Sequence, residues 1–206
     1  MKSLYSIILF LIFLIIPATM MKAADEQFLE ILHQIAASKM VTFDIASVVN
    51  SKVFEDTDST AGLIIIADDG RYFAQFKNDL YLFDGRCLWE ISSQNRQAAK
   101  RCPEEGEKFT NRLSFLKSLE SHFRISPIHR NKEYQLFSKN KDDANLPDSL
   151  IVFIDSAGSK LSRIEYYDLN GDLNRVYILS QKISDTADSK FFEVTLPDSM
   201  EVIILP

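Results

Sequence analysis

Residues 80–102 read LYLFDGRCLWEISSQNRQAAKRC, and the turns inside them decide the fold. Asp84-Gly85 places a glycine where a two-residue hairpin loop needs positive φ, so Leu80 to Asp84 and Cys87 to Ser92 are predicted to be antiparallel neighbours. A second reversal at Gln94-Asn95 returns the chain as Arg96 to Lys100. Cys87 and Cys102, the only cysteines, lie equally far from that loop. The register therefore sets them opposite each other, where Cβ atoms are close enough for a cross-strand bridge. Three fates stay open for the pair: a structural disulfide, two free thiols, or a catalytic or metal-binding role. The last lacks both CxxC spacing and a nearby His.

Outward from this stretch the same signals recur. Asp69-Gly70 and Asn170-Gly171 are further hairpin turns. The strands predicted between turns are Ala61 to Ala67, Arg71 to Lys77, Tyr134 to Phe137, Leu150 to Asp155, Leu161 to Asp168, Leu173 to Ser180, Phe191 to Leu196 and Glu201 to Leu205. A period rich in β-branched and aromatic residues also begins at Met40. Two segments are helical instead. From Asp25 to about Ala37, Phe28, Leu32 and Ile35 recur at helical spacing; after Pro103, Phe109, Leu113, Leu116 and Phe123 do the same. Lys139 to Pro147 reads as a loop.

Several strands, such as Leu80 to Phe83 and Ile151 to Ile154, are apolar on both faces, and such a sheet must be covered twice. The fold class expected is mainly β (α+β): an incomplete antiparallel β-barrel of roughly 10 to 11 strands, with helices covering its concave apolar face. Such a shape can enclose an apolar cavity.

Composition and charge narrow the function. Hydrophobic residues at 46% and charged residues at 25% exclude a disordered or collagen-like chain. The 15 Phe and 7 Tyr beside only 6 Gly and 6 Pro favour strands joined by economical turns. Lys2, the apolar run from Leu4 to Ile16 and the small or flexible residues to Ala24 have a signal-peptide layout, with cleavage expected between 18 and 24. The run is short for a bilayer span of about 20 residues. Residues 25–206 are then a single exported domain, and 21 basic against 29 acidic residues leave it at −8. Such a charge repels phosphate backbones, so nucleic acid is not an expected partner.

Motifs for covalent chemistry are missing. There is no GxSxG, GxxxxGK[ST] or GxGxxG, and His33, His122 and His129 show no metal or triad spacing. Asp168, Asn170 and Asp172 fail as a calcium loop, because the Gly stands at the fourth position and Leu179 occupies the twelfth. No enzyme, cofactor or metal site is expected.

Three segments resemble the periplasmic lipoprotein carrier family LolA. Leu150 to Asp155, the Asn170-Gly171 turn and Phe191 to Val202 are similar to its closing pattern of Phe-rich strand, Pro and short hydrophobic end. Phe83 to Trp89 is similar to its Asp-Gly-x-x-Leu-Trp hairpin, and Gly62 to Ile66 to its Gly-led early strand. With the helices, the resemblance covers residues 25 to 204. It implies a carrier that shelters the acyl chains of lipoproteins in the periplasm, received from an inner-membrane ABC transporter and passed to an outer-membrane acceptor. The alternative is an envelope adaptor or sensor of the same fold that binds a protein segment or glycolipid. Strand residues expected around an acyl chain are Tyr72, Phe76, Trp89, Ile91, Ile164, Tyr166, Phe192 and Val194; the lid residues expected are Phe28, Leu32, Ile35, Leu113 and Leu116. These assignments follow from alternation, and a slip of one residue reverses them. Where the family carries an Arg-Pro pair that latches the lid, this chain has Asp68-Asp69, which leaves Arg71 as the candidate latch. A monomer is expected.

Overall fold

The computed structural model describes residues 26–53, 55–103, 114–130, 132–140 and 146–205. The expected signal peptide, with Leu113 and Phe109 of the second helical pattern, lies outside the described residues. Helix α1 spans 26–37. Twelve strands follow: β1 Met40–Asn50, β2 Thr57–Ala67, β3 Tyr72–Phe76, β4 Asp79–Phe83, β5 Leu88–Ser92, β6 Gln97–Arg101, β7 Phe123–Arg130, β8 Glu133–Ser138, β9 Ser149–Ile154, β10 Leu161–Tyr167, β11 Leu173–Ser184 and β12 Glu201–Leu205. Between β6 and β7 lie a 3-10 turn, Ser114–Lys117, and the short helix α2, Leu119–His122.

The strands form one open sheet in the order β12-β6-β5-β4-β3-β2-β1-β11-β10-β9-β8-β7. All neighbours are antiparallel except β12, which lies parallel to β6. This is the incomplete β-barrel expected from the sequence, with one more strand. A single core cluster joins Phe28, Leu32 and Ile35 of α1 to Tyr72 of β3 and to Tyr134 of β8. In a flat sheet β3 and β8 would stand about 29 Å apart at normal strand spacing. Curling brings them to one helix: Phe28 stacks on Tyr134 with ring centroids 4.0 Å apart.

Alternation separates the two faces. On β1 and β2, Val41, Phe43, Ile45, Ile64 and Ile66 face α1, while Ile65 and Ala67 face outward. Gly70, Gly85 and Gly171 sit at φ 87, 96 and 80 in their predicted turns. The β5–β6 reversal keeps its predicted centre, since Leu88 pairs with Arg101 and Ser92 with Gln97. It is wider than predicted, running from Ser93 to Arg96, with Arg96 itself at φ 53. That register brings Cys87 and Cys102 into a disulfide with a Cα separation of 4.2 Å.

Three expectations are corrected. Phe191 to Leu196 is not a strand. Asp188 accepts a hydrogen bond from Lys190 N and starts a 3-10 turn, Ser189–Phe192, after which the chain crosses the outer face to reach β12. The second helix does not run on through Phe123, because α2 ends at His122 and Phe123 opens β7. Phe123 still reaches the core, edge to face with Phe115 at 6.1 Å. Finally, Phe123–Arg130 is a strand that the pattern of apolar residues conceals, with Pro127 inside it and a register shift between Ile125 and His129. Pro is tolerated there because β7 is an edge strand.

Candidate ligand cavity

Between the curled sheet and the 3-10 turn after β6 lies a cavity of about 710 Å³. Its wall follows from pairing. Ile45 stands opposite Gly62, Ser47 opposite Val176, and Val176 opposite Ile164, so these residues share the inner face. Phe76 pairs with Gly62 from the other side and turns its ring toward the same space. Ile64 and Tyr166 extend the wall, while Phe115 and Leu116 of the 3-10 turn cover it. The mouth is made by the segment Leu146 to Ser149 before and at the start of β9, and by the β10–β11 tip, Tyr167 to Asn170. Tyr167 and Leu169, 65% and 86% exposed, both stand at that opening.

The lining is chemically simple. The aliphatic and aromatic wall offers contact without partners for a charge. Burial, followed by the nearby Asp168 carboxylate, pushes the Tyr166 phenol above its ordinary pKa and keeps it neutral. Asp168 accepts hydrogen bonds from Asn170 N, Asp172 N and Asn174 Nδ2, so its carboxylate shapes the hairpin tip. Asp172 in turn accepts one from Lys52 N and ties this tip to the β1–β2 turn. Among the described residues, no group of three or more His, Cys, Asp or Glu could hold a metal ion, and no helix is long and apolar enough to cross a membrane.

The covering turn and the short helix after it are each fastened to α1 or its end. Lys117, 8% exposed, donates its Nζ to the carbonyl oxygen of Ser38, where α1 gives way to β1. His33 of α1 approaches Glu120 of α2 at 3.2 Å. Burial pulls the Lys117 ammonium below its usual pKa, against the attraction of Asp68 and Asp69 and with the repulsion of Lys39. Asp68 itself pairs with Lys39 at 2.7 Å and donates its N–H to the Lys39 carbonyl.

The expected site residues divide by face. Phe76, Ile164, Tyr166 and Leu116 line the cavity. Tyr72 lies on the same face, buried beside Phe83. Phe28, Leu32 and Ile35 fill the core as part of α1. The placement of Trp89, Ile91, Phe192 and Val194 on the cavity face is corrected. Register carries Trp89 opposite Leu82 and Lys100, and Ile91 opposite Leu80 and Ala98, on the outer face. Phe192 plugs the outer cluster of Ile65 and Ala67, and Val194 follows it, half-buried, on the crossing segment. Arg71 bonds Asp69 through Nε at 2.8 Å and stacks over the Phe192 ring at 4.7 Å. It thus fastens the outer crossing segment. Ile45, Ser47 and Val176 were within reach of the alternation along β1 and β11; the mouth residues carry no periodic signal at all.

Compared by sequence, no family model and no curated protein matches. Solved structures do. The chain is similar to an uncharacterized conserved protein from Thermus thermophilus, with 9% identity and a TM-score of 0.52 over 89% of this chain and 99% of that one. Weaker similarity extends to the LolA superfamily protein NE2245 from Nitrosomonas europaea, with 10% identity and a TM-score of 0.42 over 80% and 96% of the two chains. It extends also to a DUF1329 family protein from Desulfovibrio piger, with 10% identity and a TM-score of 0.45 over 84% and 96%. At such identities what is held in common with the Thermus thermophilus protein is the fold, a curled sheet of this topology.

Proposed function

We propose that the chain is an exported periplasmic carrier that shelters the acyl chains of lipoproteins in this cavity. It takes them from an inner-membrane ABC transporter and passes them to an outer-membrane acceptor, as a monomer of one domain and without covalent chemistry. The observation that carries this reading is the apolar cavity of about 710 Å³, roofed by a short turn and opening between exposed apolar residues. Volumes of this order suit small apolar ligands. Each CH₂ moved out of water gains about 0.8 kcal/mol, so a long chain is held strongly by contact alone. Release then requires the roof to move, and a 3-10 turn held by Lys117, followed by a one-turn helix held through Glu120 to His33, is a small thing to displace. The resemblance of Phe83 to Trp89 and of Gly62 to Ile66 to LolA segments supports the same reading.

The experiment is release from inner-membrane spheroplasts. Added mature protein is expected to bring acylated lipoprotein into solution as a 1:1 complex that survives gel filtration. Absence of any lipoprotein in solution, with a well-folded protein, overturns the carrier and favours an adaptor that binds a protein segment.

A further inference from the structure

The described lining of the cavity contains two acids, Asp148 and Asp168, and no Lys, Arg or His. The acids are not scattered. Asp148 directly precedes β9 and Asp168 directly follows β10, and these strands are antiparallel, with Ile164 opposite Val152 and Glu165 opposite Ile151. Both carboxylates therefore stand at the same end of the strand pair, the end at which the cavity opens beside Leu169. The far wall, at Ile45, Ile64, Phe76 and Leu116, is apolar. A ligand that fills the bore with hydrocarbon leaves its polar end at this mouth, near the two acids.

We infer that the ligand's polar end is uncharged or cationic, and that phosphate-bearing and carboxylate-bearing lipids are rejected at the mouth. This rests on the acyl-chain reading above and adds the class of headgroup. An acyl chain borne on a peptide whose neighbouring residue is basic fits both ends; an anionic phospholipid fits only the bore. Like charges brought together near a protein surface lose affinity steeply, and the described lining sets no basic side chain beside either carboxylate to compensate a phosphate there.

The test uses displacement of the uncharged probe N-phenyl-1-naphthylamine from the mature protein by twelve-carbon amphiphiles below their micelle-forming concentrations. Dodecyltrimethylammonium and dodecyl maltoside are expected to displace it at concentrations at least tenfold below dodecyl phosphate, a ratio that marks one strong charge interaction. Asp148 is exposed, so Asp148→Lys should fold normally, and it is expected to close most of that gap. Val176→Trp, which fills the bore, should abolish displacement by all three and so separates cavity binding from adhesion to an acidic surface. Equal displacement by the three amphiphiles, preference for dodecyl phosphate, or an unchanged ratio in Asp148→Lys overturns the headgroup inference while the acyl-chain reading stands. No displacement by any of them overturns the acyl-chain reading itself.

Discussion

The Phe76 ring lies across Gly62 so closely that a Cβ on Gly62 would stand 2.5 Å from Phe76 Cδ1 and 2.8 Å from the Gln75 carbonyl oxygen. Phe76 lines the cavity, so a missing side chain on β2 sets the position of the cavity wall. Gly62→Ala must push the ring inward or part the strands. The expected result is a loss of about 1–3 kcal/mol in stability, the usual cost of overpacking, and weaker uptake of an apolar probe. Urea unfolding and probe titration read the two effects separately.

Face assignment gives a sharper contrast. Ile164 is buried on the cavity wall, whereas Trp89 lies on the outer face with its Nε1 donating to Asp84 at 3.0 Å and Lys100 over its ring. Ile164→Asp buries an unpaired charge among apolar groups and is expected to abolish acyl-probe binding. Trp89→Ala should leave probe affinity within about twofold, because its partners Asp84, Leu82 and Lys100 lie outside the described cavity lining. Fluorescence titration of both variants checks the pair.

Much of this could be read in the chain, and the failures have physical causes. The hairpin turns carry their own chemistry, since Gly85 and Gly171 take positive φ and Asp84 and Asp168 accept the N–H groups that follow them. The Cys pairing followed from register, and register survived even though the loop widened to Ser93–Arg96. The cavity was harder. Phe192, Val194 and Leu196 alternate like a strand, but the Asp188 cap turns the chain and Phe192 packs against Ile65 and Ala67 on the outer face. Trp89 and Ile91 alternate correctly, yet alternation says nothing about which face is concave. The mouth, Leu146 to Asp148 and Tyr167 to Asn170, is assembled by loop closure between strands and leaves no pattern in sequence.

Lys117 supplies a test of the roof. Its folded pKa is lowered by burial, so between that value and the unfolded 10.5 the unfolded chain binds more protons. Its burial cost is present at neutral pH and is relieved as pH rises toward 10.5, so this residue makes stability increase with pH there. Tyr81 and Tyr166 act in the opposite direction, because burial raises both phenols. The difference between wild type and Lys117→Met isolates the lysine: stability of the wild type should improve relative to the variant as pH climbs from the lowered folded value toward 10.5. Losing the bond to Ser38 should also speed amide exchange in Phe115 to His122.

Asp84 makes the complementary acid test. Burial pushes its carboxyl up, but the N–H donors of Cys87, Trp89 and Arg86, with Lys100 nearby, outweigh this and hold it below the ordinary value of 3.8. Its stabilisation is therefore complete above 3.8 and disappears as pH falls through the folded pKa. Asp84→Ala should cost about 1–3 kcal/mol at pH 7 and flatten the acid limb of the stability curve, as followed by thermal melts between pH 2 and 7.

The disulfide closes the next hairpin, β5–β6. With Cys87 and Cys102 separated by 15 residues, their joint replacement by Ser should remove about 3 kcal/mol of stability. Acyl-probe binding at a temperature where the variant remains folded should be unchanged, since both residues lie outside the described cavity lining. Chemical denaturation and titration in parallel decide it.

In the carrier reading an acyl chain occupies the space bounded by Ile45, Phe76, Ile164 and Leu116. Native mass spectrometry of the protein purified from its own compartment tests it most directly. A non-covalent adduct of acylated mass, absent from the Val176→Trp variant, is the predicted result. A bare protein mass in both, from samples that have taken up no lipoprotein from spheroplasts, would contradict it.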